Sequence, residues 1–380
     1  MKAAYVTLAD PLDVASWSGS NRRIALALEA QGVEMRYVGA LRDPYLTAKK
    51  IRYRVGEALG WRRYLADRSH LTAKSYARQV RRRLEGSDYD VVFATGTTAI
   101  AFMRTQRPVA FWTDAVLPVM LDFYPSYSDV SRRSMRAGLE LERRALERTS
   151  LAIYSSEWAA VAAIEHFQLE PDRVMVVPFG ANIDSPPTTE EIERIAEERS
   201  LDHCQLLFLA VEWERKGGDI AVEAARWLND SGIPTTLVVA GCSPPPDQSE
   251  PFVQYRGFLD KKTETGQAEL RRLLAESHFL IHPARADATP IVLAEASAFG
   301  LPVVASSVGG IRTIVRSGRN GYTLSPEADG EVYGALVKDI FEDRTRMRTL
   351  ARSSHCEYRI RLNWDAAGAA VAQRLEQLAP

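Results

Sequence analysis

The sequence predicts an α/β protein built from two doubly wound, parallel-sheet domains, and three observations carry that expectation. At 380 residues the chain is longer than one hydrophobic core usually serves, so two domains are expected. Short runs rich in Val, Ile, Leu and aromatic residues alternate with helix-periodic stretches from end to end. Those runs are apolar almost without a break, the pattern of strands covered by helices on both faces.

In the first half, strands are expected at 2–9, 33–39, 90–96, 108–114, 151–156 and 173–180. The second half repeats the scheme at 205–212, 235–241, 253–259, 279–285 and 302–307. Between them, "GANIDSPPTTEEIERIAEERSLDH" interrupts the pattern with Pro186-Pro187 and an acidic, apolar-poor stretch. The expected domains are therefore 1–185 and 186–359, with the closing helix within 360–380 packing back on the first.

Composition narrows the class. With 46% hydrophobic and 26% charged residues and a formal charge of -1, the chain reads as an ordinary globular protein and not as a nucleic-acid binder. Three widely spaced cysteines fit neither a disulfide framework nor a zinc ribbon, which points to a reducing, cytoplasmic compartment. No run of 18 apolar residues occurs, and the start turns acidic where a signal peptide would be apolar. Residues 41–85 stand apart, with thirteen Lys/Arg against four acids and with Tyr45, Tyr53, Trp61, Tyr64 and Tyr76 interleaved. Segment 42–83 is either a pair of solvated cationic helices, which the sparse apolar anchors favour, or a surface that docks on the anionic inner face of a membrane or binds an anionic acceptor.

In open sheets of this kind ligands bind beyond the carboxyl ends of the strands, and two such domains facing each other form a cleft. The stretch "ARADATPIVLAEASAFGLPVVASSVGG" (284–310) is one such strand-to-helix junction. Thr289 is expected to cap the helix, with Pro290 first inside it and Gly300 ending it. Glu295 then shares a stripe with Ile291, Val292, Ala298 and Phe299. A buried carboxylate needs donors, either a cation from a neighbouring element or the vicinal hydroxyls of a ligand. The amides of Ile291 and Val292 suit a phosphate, and a molecule with a diol on one side and phosphates on the other is a nucleotide. Asp287 is either an Asx-turn acid or part of the same site. A second junction, "LAVEWERKGGDIAVEAA" (209–225), offers Arg215 and Lys216 on a glycine turn, where cations can approach a diphosphate.

These features resemble the retaining glycosyltransferases of family 4, whose fold is called GT-B. The likeness lies in Asp287-x7-Glu295 followed by "AFGLPVVASSVGG" and "GRNGYTL" (318–324), in "ERKGG", and in the linker "FGANID" (179–184). Weaker matches are "WSGSNRRIALALEAQG" (17–32), "FWTDA" (111–115) and "YSSEWA" (154–159). The resemblance implies two Rossmann-like domains and transfer of a hexose, with retention and without a metal or other cofactor. The donor would be a UDP- or GDP-sugar and the acceptor a saccharide, a lipid-linked glycan or another hydroxyl, bound by the first domain. By the same resemblance Glu295 would hold the ribose hydroxyls, Asp287 would contact the transferred sugar, and Lys216 would neutralise the diphosphate. The turn at Gly19 would supply amides, and backbone near Gly257 and Phe258 would read the base. Asp114 lies where the family often has a His near the reacting sugar, so Asp287, Lys216 and Asp114 are the catalytic candidates; a helix-capping role for Asp114 is the alternative. Two positions depart from the family's pattern. The first acid is usually Glu, and an Arg five residues before the Lys is replaced by Val211, a charge that Arg215 would supply. A GT-B protein that only binds nucleotide or glycan, and a sugar-phosphate synthase or phosphorylase, remain as alternatives. A dinucleotide oxidoreductase is disfavoured because no G-x-G-x-x-G follows the first strand.

Overall fold

The computed structural model describes residues 1–14, 16–242 and 250–378. The chain forms two compact units, Met1–Pro178 completed by Ala367–Pro380, and Phe179–Ala366.

The first unit holds a six-stranded sheet of β1 (Lys2–Val6), β2 (Glu34–Val38), β3 (Val91–Ala94), β4 (Val109–Thr113), β5 (Leu151–Tyr154) and β6 (Val174–Val176), in the order β2-β1-β3-β4-β5-β6. Every pairing is parallel, with Ala4 opposite Arg36 on one side and Val92 on the other. The apolar runs are buried because helices cover both faces. One face packs Val6, Val92, Phe111 and Tyr154 into a common cluster, while Tyr5, Phe93 and Trp112 are also fully buried.

The second unit has its own six-stranded parallel sheet: β7 (Cys204–Leu209), β8 (Thr235–Ala240), β9 (Val253–Tyr255), β10 (Phe279–His282), β11 (Val303–Ser306) and β12 (Gly321–Leu324). Their order is β12-β11-β10-β7-β8-β9. Strand β12 is absent from the sequence-based expectation, because its four residues begin at the glycine of a Gly/Arg/Asn turn and leave too short a run to show a period. The other strands stop short of their expected carboxyl ends. Residues 210–212 and 283–285 instead form the loops that carry the candidate site.

The division between the units falls at Pro178, ahead of the expected 185. The linker residues pack with the second unit: the Phe179 ring stacks on Trp364 with centroids 5.7 Å apart, Ala181 N–H donates to the Leu362 carbonyl at 2.9 Å, and Trp364 Nε1 donates to Asn182 at 2.9 Å. The chain returns to the first unit partway along the helix Trp364–Glu376. There Val371 and Leu375 are buried, and Gly368 lies close against the Ala27 backbone.

Successive connections reverse direction across the sheet between β1 and β3 in the first unit and between β7 and β10 in the second. These switch points, beyond the strands' carboxyl ends, are where open α/β sheets bind ligands.

Candidate functional site

Strand β7 leads into a short helix, Trp213–Lys216, that ends at Gly217 with φ 74°. A Cβ at this position would lie 2.1 Å from the Pro283 carbonyl oxygen. Glycine is therefore required twice over, by backbone conformation and by close approach. The contact brings the loop after β7 against the loop after β10; two further bonds hold them, and a third ties the latter to the loop after β11. Arg285 N–H donates to the Arg215 carbonyl at 2.8 Å, the Arg215 guanidinium donates to the Ala286 carbonyl at 2.8 Å, and Gly310 N–H donates to the Asp287 carbonyl at 3.3 Å.

The result is a cluster built from residues 71 positions apart. Lys216 Nζ donates to Asp287 Oδ2, and His282 Nε2 lies 3.0 Å from the same oxygen. All three side chains are largely buried, His282 completely. Burial opposes ionisation of Asp287, but Lys216 and His282 outweigh it and hold the carboxyl well below its ordinary range. Burial also keeps His282 below its ordinary value, so the ring is neutral. Its Nε2–H then donates to Asp287, which leaves the Nδ1 lone pair buried without a partner. The Lys216 ammonium is likewise lowered by burial, against the pull of Asp287.

Arg215 lies beside this cluster with its guanidinium on the Glu212 carboxylate, Nε at 3.0 Å and a terminal nitrogen at 2.5 Å, and on the Ala286 carbonyl. Val211, where the family's arginine is missing, is 72% exposed.

The helix Ile291–Ala298 follows. Its cap residue is Pro290 and not the expected Thr289, because Pro290 is extended (φ -73°, ψ 104°) and helical backbone begins only after it. Pro290 has no side-chain acceptor to cap this end, whose first amides are those of Ile291 and Val292. Glu295 has no exposed surface, and Lys261 Nζ donates to both of its carboxylate oxygens at 2.8 Å. Of the two kinds of partner open to this acid, the ligand-free chain presents the cation. Lys261 belongs to the segment between β9 and the helix Glu264–Glu276, which also carries Gly257, bonded through its carbonyl to Gly241 N–H at 2.8 Å, and Phe258, which is 71% exposed.

In the first unit, Gly19 is left-handed (φ 83°) and caps the helix Ser20–Ala30 without a side-chain bond. The two residues before it are left-handed as well, Trp17 at φ 50° and Ser18 at φ 55°. Trp17 Nε1 donates to Asp114 Oδ2 at 3.2 Å. Asp114 follows β4 and, with Trp17, lines a pocket of about 360 Å³ at the carboxyl ends of β1, β3 and β4.

The structure thus joins Lys216 to Asp287, sets Ile291, Val292 and Glu295 on the next helix, and ties the Gly19 turn to Asp114 through Trp17. His282, Lys261 and the buried pair Arg68 and Glu142 are additions. A polar residue closing the apolar run "FLIH" five places before the acid is a readable sign for His282; Lys261 carries none. Among the described residues no group of three His, Cys, Asp or Glu side chains could hold a metal ion.

Residues 20–185 match the family model for Glycosyltransferase Family 4, and residues 203–343 match that for Glycosyl transferases group 1. Each half thus resembles a glycosyltransferase domain. Over 246 residues the chain is 29% identical to the D-inositol 3-phosphate glycosyltransferase of Xylanimonas cellulosilytica, covering 60% of this chain and 57% of that protein. Over 202 residues it is 28% identical to the lipopolysaccharide glucosyltransferase WaaG of Escherichia coli, covering 50% and 53%. The chain therefore spans little more than half the length of these relatives. Among solved structures, sucrose-phosphate synthase from Thermosynechococcus elongatus superposes with a TM-score of 0.72 at 17% identity, over 100% of this chain and 99% of that one. Anabaena HepE in complex with UDP gives 0.66 at 17%, over 99% and 100%. At such identities the likeness is one of fold, and the fold is GT-B.

Proposed function

We propose that this GT-B chain is a retaining, metal-independent glycosyltransferase that moves a hexose from a UDP- or GDP-sugar to a hydroxyl of a saccharide or lipid-linked acceptor, in cytoplasmic glycan or polysaccharide biosynthesis. The observation that carries this reading is the convergence of Lys216, ionised Asp287 and neutral His282 at the β7/β10 switch point, one helix away from the buried Glu295. Ribose hydroxyls would replace Lys261 on Glu295, since a carboxylate accepts two such donors. Lys216 would turn from Asp287 to the diphosphate, and Asp287 would accept from hydroxyls of the sugar. In the transfer step the bond from the anomeric carbon to the diphosphate oxygen breaks, and the acceptor oxygen bonds to that carbon on the same face. The acceptor proton leaves on the departing phosphate. Negative charge grows on the diphosphate as the bond breaks, so Lys216 and the amides of Ile291 and Val292 stabilise the transition state more than the ground state.

Incubation with UDP- and GDP-sugars, read as slow nucleotide release by hydrolysis, tests the proposal. Silence with every donor at high enzyme concentration would leave a nucleotide-binding protein without turnover, the reading favoured by Val211 and by the shorter acid at Asp287.

We further infer that the first unit docks on an anionic membrane face. The helix Leu46–Ala58 is exposed almost all round. Ile51, Val55 and Leu59, four residues apart, are 59%, 42% and 61% exposed, and Trp61, whose side chain lies beside Gly56, is 56% exposed. Lys50 and Arg54 flank this stripe on one side and Arg52 on the other. The large apolar side chains of this helix face outward, the arrangement of a helix lying in a lipid interface, whereas Leu65, Tyr76 and Val80 of the same segment are buried. No described helix is long and apolar enough to cross a membrane.

A further inference from the structure

We propose that the pocket of the first unit recognises an uncharged, hydroxyl-rich ring, so that the end of the acceptor presented for transfer carries neither phosphate nor carboxylate. This rests on the glycosyltransferase reading and narrows its acceptor.

Charge is the first argument. Among the described residues Arg68 is the only Lys or Arg lining the pocket, and it is already paired with carboxylates. One terminal nitrogen lies 3.6 Å from Glu142 Oε2 and donates to Thr97 at 3.3 Å, while its Nε lies 3.5 Å from Asp67. Glu142 is buried and also accepts from Leu117 N–H at 2.8 Å, which fixes the pair in place. With Arg68 matched to Glu142, Asp67 and Asp114 leave the lining net negative. A phosphate would meet repulsion, and the one guanidinium on that described lining, though its Nε makes no hydrogen bond, already stands between the carboxylates of Glu142 and Asp67, unlike the arginine forks that usually take such groups.

Shape and strain point the same way. Trp17 is half-buried, and its ring is fixed by the bond from Nε1 to Asp114. Its left-handed backbone and that of Ser18 each cost of order 1–3 kcal/mol, strain that persists where the surroundings hold a residue for use. An indole beside a carboxylate and the hydroxyls of Thr95, Thr97 and Thr98 offers an apolar plate for ring C–H groups and acceptors for ring O–H groups. At about 360 Å³ the pocket sits near the lower end of small-molecule sites, which suits one sugar or cyclitol ring.

The acceptor named for the D-inositol 3-phosphate glycosyltransferases therefore does not carry over to this chain.

Saturation-transfer NMR on the full chain tests this with paired probes: glucose and glucose 6-phosphate, galactose and galacturonate, myo-inositol and myo-inositol 3-phosphate. The neutral member of at least one pair should receive saturation that Trp17→Ala abolishes, and its charged counterpart should receive less. Asp114→Asn, which keeps the side chain's size, should improve binding of the charged members about tenfold, as loss of one nearby like charge predicts. The inference is overturned if a charged member binds better than its neutral partner, if Trp17→Ala changes nothing, or if no member of any pair binds. UDP and GDP titrated into the same sample separate the two levels. Nucleotide binding without ring binding removes only the acceptor assignment, whereas loss of both removes the glycosyltransferase reading.

Discussion

Lys261 holds both carboxylate oxygens of Glu295 at 2.8 Å, and Glu295 has no surface of its own. A half-exposed cation therefore occupies the position proposed for a ribose diol. Glu295→Ala should weaken UDP or GDP binding by about tenfold or more, the equivalent of one charge-assisted hydrogen bond. Its melting temperature should change little, because Lys261 can return to water. Unaltered nucleotide affinity by calorimetry would remove Glu295 from the nucleotide site.

Lys261→Met is the converse. It strands a buried carboxylate and should cost about 3–5 kcal/mol in the nucleotide-free chain. Nucleotide should then raise the melting temperature further above its ligand-free value than in the wild type, because the diol replaces the missing partner. Equal ligand-induced shifts in thermal melts would show that cation and nucleotide do not share this acid.

Lys216→Ala should lower donor hydrolysis by about 10²–10³-fold, as removal of a charge aimed at a developing anion does. The nucleotide Kd should move much less. Single-turnover kinetics with calorimetry separates the two, and unchanged hydrolysis would mean that Lys216 does not face the leaving group.

His278 predicts an acid limb in stability. Its Nδ1 accepts from Gln205 N–H at 3.0 Å, its Nε2 lies 2.6 Å from the Ser200 carbonyl, and burial lowers its pKa to about 4. An unfolded His titrates near 6.5. Between those values the unfolded chain binds the extra proton, so stability falls as pH drops through that window, by up to about 3 kcal/mol. Urea unfolding at successive pH values should give a shallower slope for His278→Gln than for the wild type.

The exposed row on Leu46–Ala58 predicts co-sedimentation with phosphatidylglycerol vesicles that high salt reverses. Replacing Ile51, Val55 and Leu59 by Ser should leave a weaker attachment that yields at lower salt. Wild type that stays in the supernatant at low salt would make this a solvated helix.

All the strands but β12, and the two-sheet architecture, were legible because fully covered strands leave long apolar runs, a local signal. Lys216 and Asp287 were legible as strand-to-helix junctions. Their direct contact was not, since it depends on how the Gly217 turn packs on Pro283, a pairing across 71 positions of sequence. Glu295 could be read as buried from its helical neighbours, but its partner sits in "DKK", a polar stretch with no period. The exposure of Ile51, Val55 and Leu59 was not legible either, because a sequence lists them without showing whether they face a core.

The helix Trp364–Glu376 starts in one unit and finishes in the other. Residues 179–366 form an uninterrupted stretch of chain, whereas the first unit lacks Val371 and Leu375 until the second has been threaded through. On the ribosome the second unit can therefore close before the first is complete, and the first waits with Ala27 of the helix Ser20–Ala30 uncovered, where Gly368 will lie. A nascent chain stalled or clipped ahead of residue 367 would carry a finished second unit and a first unit prone to aggregate, a vulnerability that chaperones, not active-site chemistry, would have to manage.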